Sequence, residues 1–466
     1  MTTPIPQPPG VPFIGNIFNI DQNNTWVSLQ ELAAKYGPIF KIKVLKHQIV
    51  FIGSVALLEE ICDEKRFRKC VTGPIVEIRH SVHDALFTAY DNEPSWGIAH
   101  RIMAPLLSPS ALHETFKGAR DAASQLTAKW SQSSDPSQAV NITDALKREN
   151  VQAAVLCLFN QETDLLDGPE PPIIKAMERA TLEAVKRAAR PRILSWLLYQ
   201  RMFDQDTKTM RSFAADIVAK RTSQEGEAPN DMLHALLHGK DPETGKSLNA
   251  EQVIDEIVSL LIGTITAPNF MAFAFCYLLQ DPQEIAKARD EIDSVIGRID
   301  QFNLSHLSKL PYCEAILREA LRLSAAAPGF NIEPLPPPVT QGPVMLAGGK
   351  YQVPADQVMI AVLASVNRDP AVFSEPDKFR PARMLGEAFD SLPQGAKKWF
   401  GNGKRECIGK QFAWQWAMVT FVTIVAEIDL SMANPNYQLK MDGAFSLKPL
   451  DFFVKVAPRG QGATTE

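Results

Sequence analysis

One cysteine of the six in this chain has neighbours that could do chemistry. The run Trp399–Ala413 reads WFGNGKRECIGKQFA, with Cys407 set among glycines and basic residues. The other five, Cys62, Cys70, Cys157, Cys276 and Cys313, stand apart from one another and read as buried free thiols. Gly401, Gly403 and Gly409 allow the backbone to approach a bulky partner closely. A helix beginning near Ile408 would turn its positive end toward the Cys407 sulfur and favour the anion. Arg405, two residues earlier, can make a bidentate contact with a carboxylate, and Phe400 would shield the sulfur from water. These are the demands of a thiolate that holds a haem iron, with Arg405 reaching a propionate.

Other residues share faces in ways that matter for a site. Glu319 and Arg322 in REALRL lie one helical turn apart and so face the same side. Trp96 and His100 in NEPSWGIAHRIM are four apart and do the same. The run LLIGTITAPNF contains Pro268, which has no N–H, so the carbonyl of Thr264 is freed and the helix should kink there.

The elements that must position these groups are mostly helices. Residues 37–54 predict two short strands separated by Leu45 to His47. Apolar residues at helical spacing predict helices over 84–103, 110–130, 142–160, 173–200 and 206–222. A polar loop, HGKDPETGKS, follows at 238–247. Asn249 then caps a helix that runs to Gln280 and stops at Pro282. It is almost continuously apolar from Ile257 to Leu279, as befits the middle of a large core. Further helices fit 283–296, 304–308, 311–324 and 408–427, and residues 333–362 turn to prolines and short strand-like runs. The expectation is one mainly α domain with a minor β part over 1–466, with a polar tail at 459–466.

Composition narrows the function. The chain of 466 residues is 45% apolar and 22% charged, ordinary values for a globular enzyme. A net charge of −5 gives no polyanion-binding signature, so no nucleic-acid partner is expected. The six cysteines include no CxxC pair, which argues against a disulfide framework and a structural zinc site. The N-terminus, MTTPIPQPPGVPFIGNIFNI, has neither the basic start of a signal peptide nor a membrane span. A soluble, cytoplasmic protein without a transmembrane anchor is expected.

The loop resembles the haem-thiolate cytochrome P450 signature, F-x-x-G-x-R-x-C-x-G, with every fixed position present. The resemblance extends over nearly the whole chain. It implies the cytochrome P450 fold, with haem b between the long central helix and the cysteine loop, and Cys407 as ligand to the iron. It further implies that Glu319 and Arg322 lock to Arg383 of FRPARM, and that Trp96, His100 and Lys69 join Arg405 and Phe400 around the cofactor. Where the later motif usually has a glutamate, this chain has Ala382. The runs CDEKRFRK, DALFTAY and GKDPETGKSL are similar to fatty-acid hydroxylases with a fused flavin reductase. Phe87 then matches the aromatic residue over the haem, and Ile75, Val82, Ala327, Phe330 and Phe445 match pocket positions.

Two departures from that branch bear on chemistry. Relatives anchor a fatty-acid carboxylate with Arg and Tyr at the channel mouth, where this chain has His47 and Phe51. A mostly neutral imidazole and a phenyl ring cannot replace that anchor, so a different, largely apolar substrate is expected. In the long helix Gly263 and Thr266 are retained, but Ile262 fills the small-residue slot and Ile265 replaces the usual acid. Ile262 should narrow the space above the porphyrin. Two functions follow. The first is a monooxygenase taking electrons from NADPH through a fused or separate flavoprotein reductase. The second is a haem-thiolate enzyme that rearranges, dehydrates or oxidises its substrate without inserting oxygen. Lys397, Lys398, Lys404 and Lys410 around the loop would suit an acidic flavin domain.

Overall fold

The computed structural model describes residues 2–460, apart from Gln22, 45–46, 133–138, 224–225, 227–228 and Ala444. It is about 54% helical with small sheets. The residues fall into two compact units. The first comprises the chain up to Thr72, then Glu319–Cys407 and Met441–Leu447. The second comprises Gly73–Arg318, Ile408–Lys440 and the chain from Lys448 onward.

The first unit is built on a five-stranded sheet. Its order is Ile39–Val44, His47–Ile52, Met359–Val362, Gly329–Pro334 and Phe67–Lys69. Only the contact between His47–Ile52 and Met359–Val362 is parallel, as expected of two strands brought together by a long excursion of chain. His47 pairs with Val44, so it opens the second strand and is not part of the separator. One face of the sheet packs against the helix Thr25–Tyr36 through Leu29, Leu32, Phe40, Ile42, Phe51 and Val362. Phe40 and Phe51 stack there with centroids 5.0 Å apart, an arrangement that adds to their burial.

The second unit is a helical body. The helices Thr115–Ser131, Ile142–Phe159, Thr266–Gln280 and Lys410–Glu427 pack together around apolar faces. Beside them lie Pro74–Val82, Pro172–Ala189, Gln200–Ser223 and Ala250–Gly263. A small sheet joins Val140–Asn141, Phe453–Pro458 and Ile428–Met432. Glu149, fully enclosed, ties two of the helices by accepting hydrogen bonds from Trp416 Nε1 (2.8 Å) and Thr420 Oγ1 (3.3 Å). Burial pushes its carboxyl up to about 8, against the pull of those two donors.

Several expected helices change at their ends. The stretch 84–103 is helical only from Pro94 to Met103. Residues 83–93 form a loop, because Arg79 holds Glu93 through two bonds (2.9 and 2.7 Å) and also bonds the carbonyl of Thr88 (2.7 Å). The expected helix 173–200 breaks at Arg190, before Pro191, whose ring disfavours helix in the residue preceding it. The chain re-enters helix at Arg192 and runs through a wide turn at Ser195–Tyr199 into Gln200–Ser223. The helix expected from Ile408 starts at Lys410, and the one expected from residue 110 becomes regular at Thr115.

Candidate functional site

The cysteine loop belongs to the first unit, and its shape follows from its glycines. Gly401 (φ 88°) and Gly403 (φ 62°) lie in the left-handed region, which side chains with a Cβ disfavour. A methyl group at Gly401 would sit 2.8 Å from Lys69 Nζ, and one at Gly403 would sit 2.0 Å from Glu64 Oε1. The loop closes when the N–H of Cys407 donates to the carbonyl of Phe400 (2.9 Å). Glu64 accepts from the N–H of Lys404 (2.9 Å), and Asn402 Nδ2 donates to the carbonyl of Cys62 (2.8 Å). Lys398 donates in turn to Asn402 Oδ1 (2.6 Å) and Lys397 to the carbonyl of Asp390 (3.0 Å). These two lysines are therefore bonded to the loop's surroundings.

Cys407 itself is exposed, unlike Cys276 and Cys313, whose thiols burial pushes far above the usual range. Lys69 donates to the carbonyl of Arg405 (2.5 Å) and stands over the Phe330 ring, 5.4 Å from its centre. One of its three N–H donors is thus used by the loop backbone. Burial lowers its pKa, and the nearby Cys407 acts in the opposite direction.

Below the loop, Glu319 and Arg322 have no exposed surface. Arg322 grips Glu319 through Nε and Nη2 (both 2.8 Å), and Arg383 Nε reaches Glu319 Oε1 at 3.0 Å. Arg322 also donates to the carbonyls of Asn367 and Pro376 (both 2.7 Å), and the N–H of Arg380 donates to Glu319 (3.0 Å). The expected triad is assembled, and Ala382 does not prevent it. In the same unit, Ser446 Oγ (2.8 Å) and the N–H of Leu447 (3.1 Å) both donate to the carbonyl of Ala326. That docks the segment carrying Phe445 on the one carrying Ala327. Phe51 is 3% exposed, as buried as Ile262, and packs in the apolar cluster beside the helix Thr25–Tyr36, whereas His47 is exposed.

The long apolar helix belongs to the second unit. Asn249 and Gln252 form a reciprocal cap. Helix runs to Gly263, breaks over Thr264–Ile265 and resumes from Thr266 to Gln280. The carbonyl of Thr264, freed by Pro268, accepts a hydrogen bond from Asn150 Nδ2 (2.8 Å). Ala250–Gln280 is the one described stretch apolar and long enough to cross a membrane, and 78% of its most apolar part is buried inside the fold. Gly263 interrupts that burial. It is exposed, and a methyl group built on it would meet no heavy atom within 4 Å. Thr266, three residues on, is half-buried and donates to the carbonyl of Gly263 at 3.4 Å. Ile262 and Ile265 are enclosed, at 3% and 8% exposure.

Trp96 and His100 stack at 5.0 Å on the helix Pro94–Met103. Burial lowers the His100 pKa, and Arg101 adds to the effect. Val82 is fully buried, Ile75 half-buried and Phe87 40% exposed. Sequence reasoning missed two residues here. Asn150 lies 114 positions from the carbonyl it satisfies. Glu256, an acid just ahead of the apolar run, is 2% exposed and accepts from the N–H of Leu86 at 2.9 Å. Its signal was its spacing, seven residues before Gly263.

The donor chemistry fits a haem. Among the described residues no group of three His, Cys, Asp or Glu side chains could hold a bare ion. One soft thiol on a pinned glycine loop suits a metal that brings most of its own ligands in a macrocycle. Comparison with known proteins agrees. The chain is 37% identical over 468 residues to a self-sufficient cytochrome P450 monooxygenase of Penicillium freii, covering 99% of this chain and 44% of that protein. It is 35% identical to a bifunctional cytochrome P450/NADPH–P450 reductase of Acremonium egyptiacum, covering 97% and 43%. A self-sufficient cytochrome P450 monooxygenase of Aspergillus niger is 36% identical, over 99% and 42%. The chain thus spans less than half the length of these relatives. The profile of the cytochrome P450 family matches residues 5–456, and with the complete cysteine loop in place the chain belongs to that family.

Proposed function

We propose that the protein is a haem-thiolate monooxygenase acting on a hydrophobic small molecule, with electrons from NADPH supplied through a flavoprotein reductase. The carrying observation is the cysteine loop, with its thiol on a turn fixed by Gly401, Gly403, Glu64 and Asn402. The relatives' names, which pair the P450 with a reductase, support the electron source. The unbroken family match supports reading the chain as one haem domain, and we place it in the cytoplasm.

When bound, haem b would supply the redox chemistry and the site of dioxygen activation. Cys407 would hold the iron. Arg405 would meet a propionate, and Lys69, which holds the Arg405 carbonyl, would join it at the cofactor. Phe400 would keep water from the sulfur, and Trp96 and His100 carry over as propionate contacts. Gly263 would leave room for the reacting oxygen, and Thr266, with no acid at position 265, would hold or pass the proton the reaction requires. Phe87, Ile75, Val82, Ile262, Ile265, Ala327, Phe330 and Phe445 carry over as pocket residues. His47 and Phe51 offer an imidazole and a phenyl ring where relatives anchor a carboxylate, so a different, largely apolar substrate is favoured over a fatty acid.

The loop assignment is tested by Cys407→Ser. The reduced carbon monoxide complex should lose the red-shifted band of a thiolate-ligated haem while the far-ultraviolet circular dichroism is kept. A persisting band would refute Cys407 as the ligand.

A further inference from the structure

Glu256 has no part in the site just described, yet it is held at an informative place. It lies two helical turns before Gly263, roughly 10 Å along the axis. Residues 256, 260 and 263 follow one stripe of the helix. Its Oε1 accepts the N–H of Leu86, the residue before Phe87. Its Oε2 is enclosed and has no hydrogen-bond partner among the described residues. An ionised carboxylate would leave a bare charge there, close to Asp255 and Asp84, and burial with those neighbours pushes the group up to about 8. Asp255 is itself matched by Arg211 and His83, so it offers Glu256 no cation. The neutral acid can keep its proton on Oε2 while Oε1 receives the amide.

The loop it touches is tied along its length, the N–H groups of Thr88 (2.9 Å) and Ala89 (2.8 Å) both donating to the carbonyl of Ala85. Arg79 bonds the Thr88 carbonyl and Glu93, and Thr88 Oγ1 bonds the carbonyl of His83 (2.7 Å). Ala85, Thr88 and Ala89 are buried, while Phe87 is 40% exposed. Glu256 therefore fixes, from another helix, the backbone amide of the residue that precedes Phe87.

We propose that Glu256, as a neutral acid, is a positioning residue that sets Phe87 and thereby selects which carbon of the substrate is oxidised. This rests on the monooxygenase reading above and extends it to site selectivity. The test uses the haem-loaded protein with a reductase and 1-decanol as probe. Glutamine copies the neutral acid, so E256Q should preserve both the product isomer ratio and the hydrogen exchange of the Leu86 amide. E256L should speed that exchange roughly tenfold, as expected for one lost hydrogen bond, and change the isomer ratio by about threefold or more. In an F87A background E256L should add no further change to the ratio. Should E256L not fold, E256D, whose shorter arm withdraws the carboxyl from Leu86, replaces it with the same expectations. Unchanged Leu86 exchange, or a full shift of the ratio persisting in F87A, would overturn the proposal. Exchange is read without turnover, so failure of the monooxygenase reading, seen as no oxidised decanol from any variant, is told apart from failure of this one.

Discussion

Glu319 is a buried anion held by two arginines, and its worth depends on all three charges being present. Arg322 is bonded to Glu319 and to three carbonyls, so removing the carboxylate strands a guanidinium without a counter-ion. Breaking such a buried pair costs about 3–5 kcal/mol. Glu319→Gln should therefore lower the urea-unfolding free energy by that order, and Arg383→Ala, whose partner keeps Arg322, by less. Equal, small losses would mean that the triad is structurally dispensable. At this scale the sequence was most legible where chemistry is contiguous. The Cys407 loop is a run of local contacts, and the Glu319–Arg322 pair follows from helical spacing. Phe51 was placed by the resemblance alone, because in the apolar run Ile49 to Ile52 both faces of the strand look alike and alternation does not tell which side chains enter the core.

Among elements, the kink of the long helix was legible because proline chemistry is local, whereas Asn150, which completes it, comes from another helix. Residues 84–93 were read as helix because their apolar spacing continues, whereas bonds from Arg79 and from Glu256, distant in sequence, hold them as a loop. Glu149 gives the helix pair Ile142–Phe159 and Lys410–Glu427 a pH dependence. Its folded-state pKa, about 8, lies above the ordinary value of 4.5, so the folded state keeps a proton that the unfolded chain releases. The stabilising contribution is complete below the ordinary value and is lost as pH rises toward and through 8. Glu256 has the same sign. Glu149→Gln should flatten the fall in thermal midpoint between about pH 5 and pH 8, measured by calorimetry. A slope equal to that of the unaltered protein would show that Glu149 is ionised in the fold.

For the whole molecule, the mainly α class with a minor β part was legible from periodicity, and the family from a motif spread over the chain. The choice between inserting oxygen and rearranging the substrate was not, because Ile265 removes the acid that would have decided it. What supports the proposed oxygenation is Gly263 and Thr266 opening an otherwise buried helix, together with similarity to proteins named as P450 monooxygenases and to one named as a P450/reductase. The most direct measurement is the NADPH and oxygen consumed per molecule of product, with a reductase supplied, in the unaltered protein and in Thr266→Ala. The account predicts equimolar consumption in the unaltered protein. In Thr266→Ala product should fall severalfold against NADPH, with hydrogen peroxide making up the difference, as expected when a positioned proton donor is removed. Product formed without oxygen uptake, unchanged by Thr266→Ala, would contradict it.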